Sequence, residues 1–225
     1  SSLIKDWRNG MRHSLPINAT FSLLKYINVT PAINFTDRMY TNKIMQSWDN
    51  ERQTVVRDTT YGFYNVYDWR MSLSANTTLY GFYKPWRKLF GDKIMAVRHV
   101  LKPSLSYSYS PDFSASSYGY YDSYVKTDAD GKVSTVTYSP FQYGLFGVPS
   151  KGRTGSISMS LSNNLEMKLR SDKDSTGERK VSLIDELYGT LSYNMAAKSR
   201  QWSDLSTRIR LKLSKSYTFS LAAVF

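Results

Sequence analysis

Gly155–Arg170 reads GSISMSLSNNLEMKLR, and it alternates with a period of two from one end to the other. Ile157, Met159, Leu161, Leu165, Met167 and Leu169 hold odd positions, while Ser156, Ser158, Ser160, Ser162, Asn164, Glu166, Lys168 and Arg170 hold the even ones. In an extended strand these sets point to opposite faces, whereas a helix scatters both around its circumference. The run is also longer than the five or six residues usual in a soluble sheet, and it reaches the roughly 9–11 needed to cross a bilayer at a tilt. The odd face is therefore read as lipid-facing.

Composition agrees with a membrane barrel and excludes other classes. The chain of 225 residues has no apolar run of the length a membrane helix needs, and its mean hydropathy of -0.45 has the look of a soluble protein. A barrel produces the same average, because the polar face of each strand cancels the apolar one. Cys is absent and the only histidines are His13 and His99, which leaves no disulfide framework and too few ligands for a metal centre. HExxH, GxSxG, P-loop and GxGxxG motifs do not occur, so the reading expects no enzyme and no cofactor. A formal net charge of +12 attracts polyanions. The basic residues are spread among strands and loops without a compact block or recognition helix, so anionic lipid or glycolipid fits and nucleic acid does not.

In order, Ser14–Leu24 is predicted as a strand, turning near Lys25-Tyr26 into a second that carries Ile27, Val29, Ile33 and Phe35 to Arg38. Thr41–Tyr61 loses period two and gathers charge, and is expected to be a long loop. Strands follow over Phe63–Leu79 and, after a turn at Gly81–Lys93, over Val97–Tyr109. Ser110–Arg153 is the largest irregular region, with a Tyr-rich stretch around Tyr118–Tyr124 read as a self-packed lid. A short hairpin is expected in it around Asp130-Gly131 and Val133–Tyr138. After Gly155–Arg170 come a turn at Ser171–Lys180, a strand near Ile184–Met195, a short loop with Trp202, a strand from Leu205 to Leu213, a turn at Ser214–Ser216 and a last strand at Tyr217–Phe225. About eight long strands result, and short connections alternate with long ones as in outer-membrane barrels. On that rule the loops 41–61 and 110–153 lie outside the cell and the turns face the periplasm. Trp69, Tyr107, Tyr109, Tyr193, Tyr217 and Phe219 fall near strand ends, where interfacial aromatic girdles sit.

RHVLKPSLSYSYSPDF (Arg98–Phe113) and the S-L-I-D, S-Y-N-x-A-A and W-S-D-L segments within Lys180–Leu213 resemble LptD/OstA-like outer-membrane lipopolysaccharide-assembly proteins. The resemblance implies the outer membrane of a Gram-negative bacterium and a barrel that places lipopolysaccharide in the outer leaflet. It also implies a periplasmic jellyroll, bridge proteins that feed the barrel, and a lipoprotein plug of the LptE type. No jellyroll is legible in this chain, and SSLIKDWRNGMRH lacks the order of a secretory leader, so the reading expects part of a larger barrel over residues 1–225. Phe225, closing an alternating strand, keeps a complete eight-stranded barrel open.

Arg70, Arg98, Lys102, Lys168, Arg170, Arg208, Arg210 and Lys212 are even-numbered and share the polar face. Either they bind phosphates and acidic sugars of lipopolysaccharide through charge-assisted hydrogen bonds, or they pair with Asp68, Glu166, Glu186 and Asp204 in the lumen. Pro16, Pro31 and Pro103 lack the N–H that a ladder needs. They mark either a weakened seam for sideways lipid exit or ordinary strand ends and bends. His99, among many serines, leaves a Ser–His lipid hydrolase as a further reading. The function read from all this is lipopolysaccharide translocation and insertion, with a porin or adhesin-like surface barrel and a protein-secretion translocon as alternatives.

Overall fold

A computed structural model of the chain describes residues 10–84, 91–171, 177–212 and 217–225. The strands are β1 (Gly10–Asn18), β2 (Phe21–Leu23), β3 (Ile27–Asp49), β4 (Thr54–Thr77), β5 (Leu79–Tyr83), β6 (Ile94–Ser110), β7 (Asp122–Thr127), β8 (Val133–Tyr138), β9 (Thr154–Arg170), β10 (Glu178–Asn194), β11 (Ser206–Lys212) and β12 (Thr218–Val224). Ten of them form one sheet in the order β1-β3-β4-β6-β9-β10-β11-β12, with β2 continuing beside β3 and β5 beside β6. Taken with their continuations, these are the eight long strands of the alternation, each next to its sequence neighbour. The pairing order ends at β1 and β12. No described helix is long and apolar enough to cross a membrane, which says nothing of strands. The stretch SSLIKDWRNGMRH and the turns at Gly81–Lys93, Ser171–Lys180 and Ser214–Ser216 lie wholly or partly outside the described residues.

The expected loop at Thr41–Tyr61 is not a loop. β3 and β4 run on through it, 23 and 24 residues long, and only residues 50–53 turn. At about 3.3 Å per residue each strand is roughly 75–80 Å long, well beyond the ~30 Å apolar core of a bilayer. Nearly all of β4 from Thr54 to Phe63 is exposed. The β3 half is partly covered by the segment after β6, with the Gln46 N–H donating to the Tyr138 hydroxyl at 2.9 Å and Trp48 Nε1 to the Thr127 carbonyl at 3.2 Å. An exposed strand beside one covered by mixed polar contacts leaves no period two in the sequence. The turn is built locally: the Asp49 carboxylate accepts the N–H groups of Glu51 (2.9 Å) and Arg52 (3.1 Å), and Gln53 takes a left-handed φ of 50°.

The chain divides into two compact units. One comprises Ser1–Ile17, Ala32–Met71 and Tyr109–Thr154. Its core joins Tyr40 and Val66 of the tall hairpin to Phe113, Tyr120 and Phe141 of the region expected to be irregular. That region holds the expected hairpin, β7 with β8, and its tyrosines pack on one another, with Tyr118 and Tyr120 stacked at 5.5 Å. Burying a large side chain of this kind contributes roughly 1.5–3 kcal/mol, enough to hold a segment with little regular structure.

The other unit comprises Asn18–Pro31, Ser72–Ser108 and Gly155–Phe225. In it β9 pairs with β10 along their whole lengths, Ile157 opposite Tyr193 and Met167 opposite Val181, with register shifts between Ser182 and Ile184 and between Ile184 and Leu187. Met159, Leu161, Leu187, Phe219 and Leu221 of the odd face are all well exposed. A soluble protein rarely presents so continuous an apolar face. Pro31 stands opposite a break in the neighbouring strand, and Pro103 next to one. Ala19, in the gap between β1 and β2, donates to the Pro31 carbonyl at 3.2 Å. Leu79 faces Leu101, and two residues further along the same ladder Pro103 comes beside the gap at Thr78. Pro16 lies inside β1.

Candidate functional site

The polar face of β6, β9, β10 and β11 carries two zones. Toward the end where β9 and β10 turn, it is charged. Arg98 NH2 donates to Glu166 Oε2 at 2.5 Å, Arg210 Nε to Asp185 Oδ2 at 2.6 Å and Arg208 NH2 to Glu186 Oε2 at 3.3 Å, with a second Arg210 nitrogen 3.8 Å from Glu186. Lys168 bridges to Glu178. Arg98, Lys102, Ser162, Asn164, Glu166, Asp185, Glu186 and Arg210 together line a cavity of about 420 Å³. Arg98, Lys168, Arg208 and Arg210 are thus committed to carboxylates, and each pair, being substantially exposed, is worth about 0–1 kcal/mol. Among the described residues Lys102, Arg170 and Lys212 have no ion-pair partner.

The β10 register shifts make this network possible. Asn164 faces the segment where β10 carries extra residues, and its amide donates to the Asp185 carbonyl at 2.8 Å. Both Asp185 and Glu186, adjacent in sequence, consequently reach Arg210. Asp185 and Glu178 were not among the expected partners. The signal was present as a stutter in the alternation, Leu183-Ile184 followed by Asp185-Glu186.

Toward the other end the same face is uncharged and lined with hydroxyls: Ser104, Ser106 and Ser108 on β6, Ser156, Ser158 and Ser160 on β9, Thr190 and Ser192 on β10. Ser104 and Ser160 hydrogen-bond at 2.5 Å, Ser108 and Ser156 at 2.9 Å, Ser158 and Ser192 at 3.1 Å. Each hydroxyl donates and accepts, so such pairs exchange readily with the hydroxyls of a sugar, and the short side chains leave the face open.

The residues that carried the family resemblance act mainly as structural devices. In Pro111-Asp112-Phe113, Phe113 is 2% exposed within its core, and Asp112 Oδ1 accepts from Ser114 Oγ (2.5 Å), Ser114 N (2.9 Å) and Gly152 N (2.9 Å). These bonds, led by that from the Ser114 hydroxyl, hold the Asp112 carboxyl below the usual carboxylate range. Burial raises the Tyr120 and Tyr121 hydroxyls above theirs. In the connection after β10, Asn194 accepts the N–H groups of Ala196 (3.0 Å) and Ala197 (3.2 Å), and Tyr193 packs on Trp202 at 4.8 Å. His99 hydrogen-bonds Asn163 at 3.1 Å, both on the odd face.

Arg70 lies in the other unit, in a cavity of about 400 Å³ with Asn34, Thr36, Arg38, Asp68, Ser110, Phe113 and Ser150. Asp68 is bridged by Arg38, which also donates Nε to the Phe146 carbonyl at 3.2 Å. The expected polar partner Asp68 is thus taken by a residue not singled out in the sequence. Asp204 enters no ion pair among the described residues.

The chain matches the family described as LptD protein over residues 1–225. No curated protein and no solved structure matches it.

Proposed function

The chain belongs to the LptD protein family, Gram-negative outer-membrane proteins of lipopolysaccharide transport and assembly, and from that premise we propose that its polar strand face conducts the hydrophilic part of lipopolysaccharide to the outer leaflet. The observation that carries the proposal is the division of one strand face into a charge-paired band and a hydroxyl stripe, behind an apolar face turned outward. Phosphates and acidic sugars meet the band, where Lys102, Arg170 and Lys212 have no ion-pair partner among the described residues and the paired arginines exchange a carboxylate for a phosphate at little net cost. The saccharide then slides along the serines, held by many weak and replaceable hydrogen bonds. With the tall β3–β4 hairpin and the long segment between β6 and β9 outside the cell, the band lies at the periplasmic entrance and the stripe beyond it. Pro16, in the strand that ends the pairing order, with Pro31 and Pro103 at broken ladders, suits a sideways exit for the acyl chains. A lipoprotein plug of the LptE type and periplasmic bridge proteins complete the assembly.

The test fills the stripe. Ser104, Ser158 and Ser160 are replaced together by Leu in the full-length protein, folded protein in the outer membrane is checked by its heat-modified mobility, and surface lipopolysaccharide is measured on the same cells. Normal folded protein with depleted surface lipopolysaccharide is the expected result. Normal delivery with the stripe blocked would reject the track.

A further inference from the structure

The cavity around Arg70 differs from the one in the charged band. The band's cavity sets Arg98, Lys102 and Arg210 against Glu166, Asp185 and Glu186, so its formal charges cancel. Around Arg70 the only carboxylate lining the cavity among the described residues is Asp68, and Arg38 already bridges it. Arg38 is itself 9% exposed and anchored to the Phe146 carbonyl, so this pair is fixed and Arg70 carries the excess charge. Arg70 is exposed and has no ion-pair partner among the described residues. Its surroundings are short neutral side chains: Asn34, Thr36 and Ser150, together with Ser110, whose hydroxyl donates to the Trp69 carbonyl at 3.1 Å. A guanidinium fork with hydroxyl and amide donors around it is the chemistry that recognises an oxyanion.

One wall of the cavity is the segment Val148-Pro149-Ser150. That segment is tied down at Pro149, whose carbonyl accepts the Tyr121 hydroxyl at 2.5 Å, and just past its end by the Gly152 N–H given to Asp112 at 2.9 Å. A ligand that touches both Arg70 and Ser150 therefore binds the docked segment and not the released one, and by linkage it holds the segment closed.

We propose that the cavity lined by Arg70, Asn34, Thr36, Ser110 and Ser150 is an oxyanion site, taking a phosphate or carboxylate borne on a sugar, whose occupancy locks the segment 148–152 in place. The site rests on the reading that this chain handles an anionic glycolipid, and it adds an element that senses one. Arg70 faces water, so affinity for an isolated anion is weak and falls with salt.

The experiment is hydrogen–deuterium exchange on the detergent-solubilised full-length protein, titrated with glucose 1-phosphate, glucuronate, inorganic phosphate and glucose. The two sugar anions are expected to slow exchange over residues 146–152 at millimolar concentration, glucose not at all, and the protection is expected to fade as salt rises from about 0.05 to 0.5 M. Inorganic phosphate acting as well as glucose 1-phosphate would show that the group, not the sugar, is read, and would retain the site while removing its sugar preference. Arg70→Gln is expected to need about fivefold or more higher anion concentration for the same protection, with Arg70→Lys intermediate and Arg52→Gln, at the exposed turn of the tall hairpin, unchanged. Equal protection by glucose, or equal response in Arg70→Gln, overturns the proposal, as does the absence of protection by any anion. Surface lipopolysaccharide in cells carrying Arg70→Gln separates the two readings: normal delivery with lost protection keeps the site and removes its part in transport.

Discussion

Phe113→Ala should release the segment between β6 and β9 while leaving the long strands paired. Phe113 is 2% exposed and its ring touches that of Tyr118 at 5.1 Å, within a cluster completed by Tyr40, Val66, Tyr120 and Phe141. Truncating a ring so enclosed removes its transfer free energy and leaves a void, together costing about 3–5 kcal/mol. The loss falls on the local opening reaction of the segment, because Phe113 contributes to that core and not to the β9–β10 ladder. At about 1.4 kcal/mol per factor of ten, amide protection within residues 112–121 and 139–148 should drop by roughly two to nearly four orders of magnitude. Native-state hydrogen exchange on the folded protein reads this directly, with β9 and β10 amides as the internal reference. Phe113→Leu, which keeps most of the volume, should cost less than about 1.5 kcal/mol. A change of less than tenfold in the segment, or an equal loss across β9 and β10, would refute the assignment of Phe113 to a core that opens on its own.

Acid should loosen the same segment. The folded-state value of Asp112 is depressed, so its clamp is fully present above the unfolded carboxylate value of about 3.9 and is lost as pH falls through the lower folded value. Proteolysis near Gly152 by an acid-active protease should therefore rise below about pH 4, and Asp112→Asn should flatten that dependence; an unchanged profile in the variant would remove the clamp. For Arg98 and Glu166, a double-mutant cycle with Arg98→Gln and Glu166→Gln, read by thermal unfolding, should return a coupling of no more than about 1 kcal/mol, because both side chains are partly solvated. A coupling of several kcal/mol would mean that this face excludes water and that the arginines are not free to exchange partners.

Much of the architecture could be read along the chain. Gly155–Arg170 alternates between an apolar and a polar face, and that contrast alone is enough to specify a strand, its two faces and the exposure of Met159 and Leu161 on the odd one. The same contrast counts the long strands and puts Arg98, Lys168 and Arg210 on one side. Where one strand is exposed and its neighbour is covered by polar contacts from a distant segment the signal vanishes, which is why Thr41–Tyr61 shows its strand character only in the folded hairpin. Lateral neighbours were equally hidden. Arg98 finds Glu166 across 68 positions of sequence, and Arg210 finds both Asp185 and Glu186 only because β10 shifts register twice, an offset set by bulges and not by parity. Phe113 and Asp112 stood out as family markers, yet their work, a core contact with Tyr40 and Val66 and a bond to Gly152, joins segments far apart in the chain. Period two is a local property that each strand carries by itself; pairing, register and the aromatic core are agreements between distant segments, and only the folded chain decides them.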